Sequence, residues 1–129
     1  MAVVVELLLT LAGAGAGAVA RFSLGGWVSY RMGPAFPWGT LVVNTLGCFG
    51  LGLLEGAAPQ DAAALFVLGS GLLAGFTTFS TLMLETLNLA LAREGDRAFF
   101  NVLGSVALGL PALYLGLSGG MYLVGAVAA

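Results

Sequence analysis

The distribution of charged and turn-forming residues constrains this chain more than any other feature. These residues occur together at only three places, in the segments YRMGPAFP (30–37), EGAAPQD (55–61) and REGDR (93–97). The segments between them are apolar, and each is close to or above the roughly 20 residues that a helix needs to cross a bilayer. The pattern therefore predicts four membrane spans, at about residues 3–29, 38–54, 62–92 and 98–127.

The composition supports an integral membrane protein. The 129 residues are 60% hydrophobic and 8% charged, which leaves too few polar side chains to cover a soluble domain of this size. The spans do not alternate and are too long for barrel strands, so the predicted class is all-α. We expect a single four-helix transmembrane domain over residues 1–129, with both termini on one side. Because the first residues include Glu6 and lack a basic cluster, they predict a retained helix and not a cleaved signal.

The residue inventory argues against several functional classes. The chain has no histidine, no lysine and one cysteine, Cys48, which we expect to be a packing residue. It therefore lacks a Ser–His pair and any multi-cysteine metal or redox motif, and it shows no pair of membrane-embedded carboxylates. A net charge of −2 gives no reason to expect nucleic acid as a partner. The sequence predicts a membrane protein without enzymatic activity.

Small residues four positions apart recur along the predicted spans. This spacing lets helix backbones approach closely. The pattern therefore predicts tight helix packing, within one subunit or between subunits. The pairs are Gly13/Gly17, Ala14/Ala18, Gly52/Gly56, Gly71/Gly75, Ser105/Gly109 and Gly116/Gly120.

The third span contains an unusual polar segment, GLLAGFTTFSTLMLE (71–85). Gly75 is suited to ending a helix, and the hydroxyls of Thr77, Thr78, Ser80 and Thr81 can cap the start of another. The segment therefore predicts two half-helices joined by a break near the bilayer midplane. Such a break offers free carbonyls to a cation and a helix amino end to an anion. The alternative is an unbroken helix whose hydroxyls bond back to the preceding turn.

Other polar residues lie on shared helix faces. Thr40 and Asn44 are four residues apart, and the amide of Asn44 suits an anion or a carbonyl of a neighbouring helix equally. Asn101, Ser105 and Gly109 form a second stripe, which is typical of an ion path or of a helix seam. These positions are candidates because polar groups inside a membrane are costly unless they are satisfied.

Three further residues are candidates for contact with an ion. Arg21 lies near a membrane edge, where it could attract anions in a vestibule or extend its charge to the interface. Glu85 is expected to cap a vestibule or to form a salt bridge. Phe79 can pack, or it can turn the positive edge of its ring toward an anion.

Three segments, GAVARF, WGTLVVNTLGCFGLG and AGFTTFSTLMLE, together resemble the Fluc (CrcB) fluoride channels of microbes. The resemblance covers essentially the whole chain and implies an antiparallel, dual-topology dimer with two fluoride pathways and a sodium ion at its centre. It implies passive export of cytoplasmic fluoride across the inner (plasma) membrane, and hence fluoride resistance. The expected partners are fluoride, sodium, membrane lipid and a second copy of the chain.

The resemblance also implies roles for particular residues. It places Arg21 near the vestibule, and it assigns sodium to the backbone carbonyls of Ala74 and Thr77. The chain departs from the family at Leu82, where a second aromatic is common, and at Asn101, where Tyr is frequent. The implied fluoride pathway consists of Thr40, Asn44, Phe79, Ser80, Thr81, Leu82, Asn101 and Ser105.

The arginines bear on orientation. Arg31, Arg93 and Arg97 all fall beside the first and third connections, which favours one orientation with the termini outside. A homodimer is expected, and a heterodimer with an oppositely inserted partner stays open, in which this chain could be a non-conducting subunit.

Two different functions also stay open on the sequence. One is a small proton-coupled multidrug exporter, which is likewise a four-helix, dual-topology design. Such an exporter would need a carboxylate near the midplane, and Glu6 lies too close to the chain end to supply it. The second is a structural membrane subunit that is held by glycine packing and transports nothing.

Overall fold

The structure, a computed structural model, describes residues 2–57 and 63–128, and all of the regular structure in those ranges is helical. This confirms the all-α prediction. Part of the predicted second connection, residues 58–61, and the first residue of the third predicted span lie outside the described residues. The five helices are α1 (Ala2–Met32), α2 (Trp38–Ala57), α3 (Ala63–Phe76), α4 (Phe79–Leu91) and α5 (Gly95–Ala128).

The connections are shorter than the sequence predicts, because the helices extend into them. Helix α1 continues to Met32 and ends where Gly33 adopts a positive φ of 86°, with its amide donating to the carbonyl of Ser29. Glycine adopts this conformation at little steric cost, which makes it a common helix terminator. Helix α5 begins at Gly95, with Asp96 in its first turn, where a negative charge complements the helix dipole.

Within residues 2–57 and 63–128, three helices are long and apolar enough to cross a membrane. They comprise Val3–Met32, Trp38–Ala57 and Gly95–Ala126. Helix α3 has 14 residues and α4 has 13, so neither reaches the roughly 30 Å of a hydrocarbon core at about 1.5 Å per residue. The third predicted span is therefore present as two consecutive half-helices.

Glycines allow α2 and α5 to pack with their backbones in contact. A methyl group on Gly52 would collide with the carbonyl of Leu113, and one on Gly116 would collide with the carbonyl of Phe49. Gly56 and Gly120 are equally tight against the opposite backbone. The predicted pairs Gly52/Gly56 and Gly116/Gly120 thus form a seam within one chain.

Helices α1 and α3 pack in the same way. Gly17 faces the backbone of Leu72, and Gly75 faces the backbone of Ala14. Gly71 also lies against the backbone of α1. This contact brings the end of α3 against the middle of α1 and so fixes where the helix break lies.

A prediction follows from the seam between α2 and α5. Gly116→Ala is expected to destabilise the purified protein by about 1–3 kcal/mol, because its methyl group would force two backbones apart. Gly119→Ala is the matched control, since a methyl group there meets only a side-chain methyl of Leu53, at 3.8 Å. Thermal unfolding in detergent should show a lower midpoint for Gly116→Ala alone. Equal midpoints for the two variants would contradict the seam.

Candidate functional site

The break between α3 and α4 forms as the sequence predicts. Helix α3 ends at Phe76, and Thr78 is extended, with φ −150° and ψ 119°. The hydroxyl of Thr78 accepts a hydrogen bond from the amide of Thr81 at 3.2 Å, which makes Thr78 the N-cap of α4. The capping prediction is therefore confirmed, and the alternative of an unbroken helix is wrong.

Asn44 of α2 closes the break from one side. Its Oδ1 accepts from the amide of Thr78 at 2.8 Å, and its Nδ2 donates to the carbonyl of the same residue at 2.9 Å. Asn44 thus supplies to Thr78 the two bonds that a continuous helix would have given. This contact matches the interhelical alternative for Asn44, and it leaves the second N–H of Nδ2 outside these two bonds.

Arg21 of α1 reaches the break from the other side. Its Nη1 donates to the carbonyl of Thr77 at 3.4 Å, a contact that sequence reasoning did not anticipate. Since the amide of Thr78 is bonded to Asn44, it does not close the next helical turn onto the carbonyl of Ala74. The carboxyl end of α3 thus presents carbonyl groups that the helix itself does not satisfy.

A cavity of about 540 Å³ lies on one side of the break. Its wall is mostly apolar, with polar groups contributed by α2, the break and α5. Among its lining residues are Asn44, Cys48, Thr77, Thr78, Phe79, Leu82 and Ser105. The cavity therefore brings together residues from three of the predicted polar segments.

A second cavity, of about 510 Å³, lies on the other side of the break and is more polar. Thr78 borders both cavities, so the broken segment forms part of the wall between them. The second cavity is lined by a cation and a carboxylate, and α1 forms part of its wall. Its polar lining residues are Arg21, Ser29, Thr40, Thr78, Thr81 and Glu85.

Thr40 and Glu85 join α2 to α4 in the second cavity. The hydroxyl of Thr40 donates to Oε1 of Glu85 at 2.8 Å. The other carboxylate oxygen, Oε2, is buried and has no hydrogen-bond partner among the described residues. The predicted vestibule residues Arg21 and Glu85 therefore line one cavity, while the only salt bridge of the described chain joins Arg97 to Glu94.

The remaining predicted pathway residues differ in their surroundings. The side chain of Phe79 is 74% exposed in the single chain and borders the first cavity, next to the buried Leu82. Ser80 is exposed near the hydroxyl of Thr78. Ser105 lines the first cavity and donates to the carbonyl of Asn101 at 2.7 Å, whereas Asn101 is fully buried and borders neither described cavity.

Two residues near the site were not predicted as functional. Cys48 lines the first cavity, and its Sγ would lie 3.2 Å from a methyl group on Gly109. The sequence signal for its position was its spacing of four residues from Asn44, because residues four apart share a helix face. Thr86 receives a hydrogen bond from Asn101, and nothing in its local sequence indicates that partner.

Comparisons with known proteins cover this whole site. Residues 8–117 match the family described as CrcB-like protein, Camphor Resistance (CrcB). The chain is 70% identical over 120 residues to the fluoride-specific ion channel FluC 1 of Rubrobacter xylanophilus, covering 93% of this chain and 97% of the relative. It is 47% identical over 124 residues to the fluoride-specific ion channel FluC of Thermus thermophilus, covering 92% and 95%.

A third relative agrees with these two. The fluoride-specific ion channel FluC of Opitutus terrae is 46% identical over 118 residues, covering 85% of this chain and 87% of the relative. The family match spans the broken helix, both cavities and the residues that bond across the break. These three relatives carry the name of ion channels, not of enzymes. The chain therefore belongs to the CrcB family.

Proposed function

We propose that this chain is a fluoride-selective channel that lets cytoplasmic fluoride leave passively across the inner (plasma) membrane. The observation that carries the proposal is the broken helix, with neutral hydrogen-bond donors in the cavities on either side of it. The names of the relatives agree with this function. Fluoride is small and accepts hydrogen bonds strongly, so neutral donors can replace its water where fixed positive charges would hold it too tightly.

The donors suit transient contact because most of them already have partners. Thr40 donates to Glu85, Ser105 donates to the carbonyl of Asn101, and Asn44 uses one N–H for Thr78. A hydroxyl can turn from its internal acceptor to an arriving anion and then return. In this proposal the internal acceptors keep the empty path satisfied, so no single position holds fluoride permanently.

The walls of the first cavity would contribute to selectivity. Phe79 and Leu82 make one wall apolar, which prevents water from accompanying the ion. The edge of the Phe79 ring carries partial positive charge and can meet an anion without a full positive charge. Chloride is larger and accepts hydrogen bonds more weakly, so it would recover less of its hydration energy from the same donors.

We propose that the functional unit is an antiparallel, dual-topology homodimer. In each copy α3 and α4 together make the fourth membrane span, and the break between them lies near the bilayer midplane. The single chain leaves Phe79 and Ala74 exposed at the break, which a second copy would cover. The arginines beside two connections favour one orientation of the chain in the membrane. A heterodimer is therefore the alternative, and the efflux experiment below distinguishes it from the homodimer.

We propose that the carbonyls at the end of α3 hold a sodium ion. Those of Ala74 and Thr77 lie at the negative end of a helix, and the carbonyl of Thr77 keeps a second lone pair besides the one that accepts from the guanidinium of Arg21. Hard cations prefer oxygen ligands of this kind. Sodium would supply positive charge at the dimer centre, and two copies of the break would be needed to complete its ligands.

Ion efflux from liposomes tests the function. The protein is expressed and purified alone, reconstituted into vesicles loaded with potassium fluoride or potassium chloride, and triggered with a potassium ionophore. We expect rapid fluoride release and almost no chloride release, as read by ion-selective electrodes. Vesicles that contain the same salts but no protein are the control.

Each remaining outcome has a distinct meaning. Equal release of both halides would overturn the proposed selectivity. Flux that appears only when a second CrcB chain is coexpressed would replace the homodimer by a heterodimer. Absence of flux under both conditions would favour a structural subunit.

A further inference from the structure

Helix α4 is attached to the rest of the chain mainly by hydrogen bonds. Leu82 is the only buried residue in the described α4. Polar contacts link the helix to its neighbours through Thr78 at its start and through the adjacent residues Glu85 and Thr86 in its middle. The position of α4, which carries Phe79, therefore depends on a few polar pairs.

The contact at Thr86 is the most enclosed of these. Asn101 of α5 has no exposed surface, and its Nδ2 donates to Oγ1 of Thr86 at 2.9 Å and to the carbonyl of Leu82 at 3.5 Å. The hydroxyl of Thr86 in turn donates to the same Leu82 carbonyl at 2.7 Å. Three groups on two helices thus share a single set of hydrogen bonds.

This set connects directly to the first cavity. Leu82 lines that cavity one turn after Phe79, and Ser105 lines it from α5. The hydroxyl of Ser105 donates to the backbone carbonyl of Asn101, the residue that bonds Thr86. The bonds between Asn101 and Thr86 therefore set the position of Phe79 relative to Ser105 across the cavity.

We infer that Thr86 and Asn101 form a positioning pair for the fluoride pathway and that neither residue contacts the ion. This inference rests on the proposed function. Nδ2 of Asn101 has two acceptors, its side chain is fully buried, and it borders neither described cavity. An anion could reach this amide only after α4 and α5 had separated.

The other end of the amide supports a role beyond stability. Oδ1 of Asn101 is buried and has no hydrogen-bond partner among the described residues. Leaving a buried acceptor unsatisfied is costly, so stability alone would favour an apolar residue here. The buried amide instead gives α4 one preferred register on α5, as buried polar groups do in some other helix pairs.

The test compares variants of the pair in the liposome assay. Thr86→Val keeps the size of the side chain and removes the hydroxyl, whereas Thr86→Ser keeps the hydroxyl. We expect Thr86→Val to lower both fluoride flux and the fluoride-to-chloride permeability ratio on the order of tenfold, the effect of one interhelical hydrogen bond. Thr86→Ser should retain most of both.

A matched control separates this effect from the loss of any hydroxyl. Thr10 also donates to the carbonyl four residues earlier, at 2.9 Å, but it is exposed on α1 and has no interhelical partner among the described residues. Thr10→Val should leave flux and permeability ratio unchanged. Asn101→Leu should reproduce Thr86→Val, and the double variant should be no worse than either single variant, because the two residues act as one unit.

The outcomes distinguish this inference from the proposed function. If Thr86→Val lowers only the thermal midpoint, with the permeability ratio unchanged, the pair is merely structural and the inference is overturned. Additive losses in the double variant would also overturn it. Absence of fluoride flux in the parent, with and without a coexpressed CrcB chain, would instead refute the proposed function, and the double-mutant cycle on thermal midpoints would then show whether the two residues act as a unit.

Discussion

Asn44→Asp is expected to abolish fluoride flux, with a loss of about 100-fold or more, the cost of an uncompensated charge inside a membrane. The substitution removes the Nδ2 donor, so the carbonyl of Thr78 would face a negatively charged carboxylate where it now accepts a hydrogen bond at 2.9 Å. The same charge would repel fluoride from the first cavity. Both effects act on the break, where Thr78 borders both cavities.

Initial efflux rates per mole of reconstituted protein provide the measurement. Asn88→Asp is the matched control, because Asn88 is exposed near the far end of α4 and lines neither described cavity. It should conduct as the parent does. If Asn44→Asp conducted equally well, the amide of Asn44 would be dispensable, and the proposed role of the break would fail.

Phe79→Ile has the second large expected effect. Isoleucine keeps an apolar side chain but lacks the ring edge, so fluoride flux should fall about five- to twelvefold, as the loss of an aromatic contact of about 1–1.5 kcal/mol predicts. The folding of the single chain should change little, because Phe79 is 74% exposed and contributes little to its core.

The control for Phe79 is Phe100→Ile on α5, where the side chain is 61% exposed and lies outside both described cavities. Efflux and thermal midpoint are measured together for both variants. A Phe79→Ile protein with normal fluoride flux and normal selectivity would remove the aromatic ring from the mechanism.

The helix break was predictable because its signals are local. The hydroxyls that follow Gly75 lie within a few residues, and capping by Thr78 depends only on that segment. The glycine seams were predictable for the same reason, since spacing along one helix determines which small residues share a face. The sequence did not indicate whether those faces would meet within one chain or between two. Gly75 itself does not end α3 as predicted, because the helix continues to Phe76 and Gly75 packs against the backbone of Ala14.

The partners of the polar residues could not be predicted from the sequence. Asn44 suits an anion or a carbonyl equally, and only the packing of α2 against the break brings it to the backbone of Thr78. Asn101 appeared as part of a polar stripe on α5, but the stripe gave no indication of Thr86 on α4. Such contacts depend on the relative placement of helices distant in sequence.

A proton-coupled exporter has less support than the channel. It would need a carboxylate near the midplane, and Glu6 is exposed close to the start of α1. Glu85 is the partly buried carboxylate of the site, and it accepts a hydrogen bond from Thr40 beside Arg21. The three relatives are named fluoride-specific ion channels, which also favours the channel.

The most direct test of the central claim is the reversal potential of the purified protein in a planar bilayer. Fluoride would be concentrated on one side and chloride on the other, at equal ionic strength and with a single impermeant cation. A fluoride-selective channel predicts that current reverses close to the equilibrium potential of fluoride and far from that of chloride. Reversal midway between the two, or the absence of a current in bilayers that contain the protein, would contradict the claim.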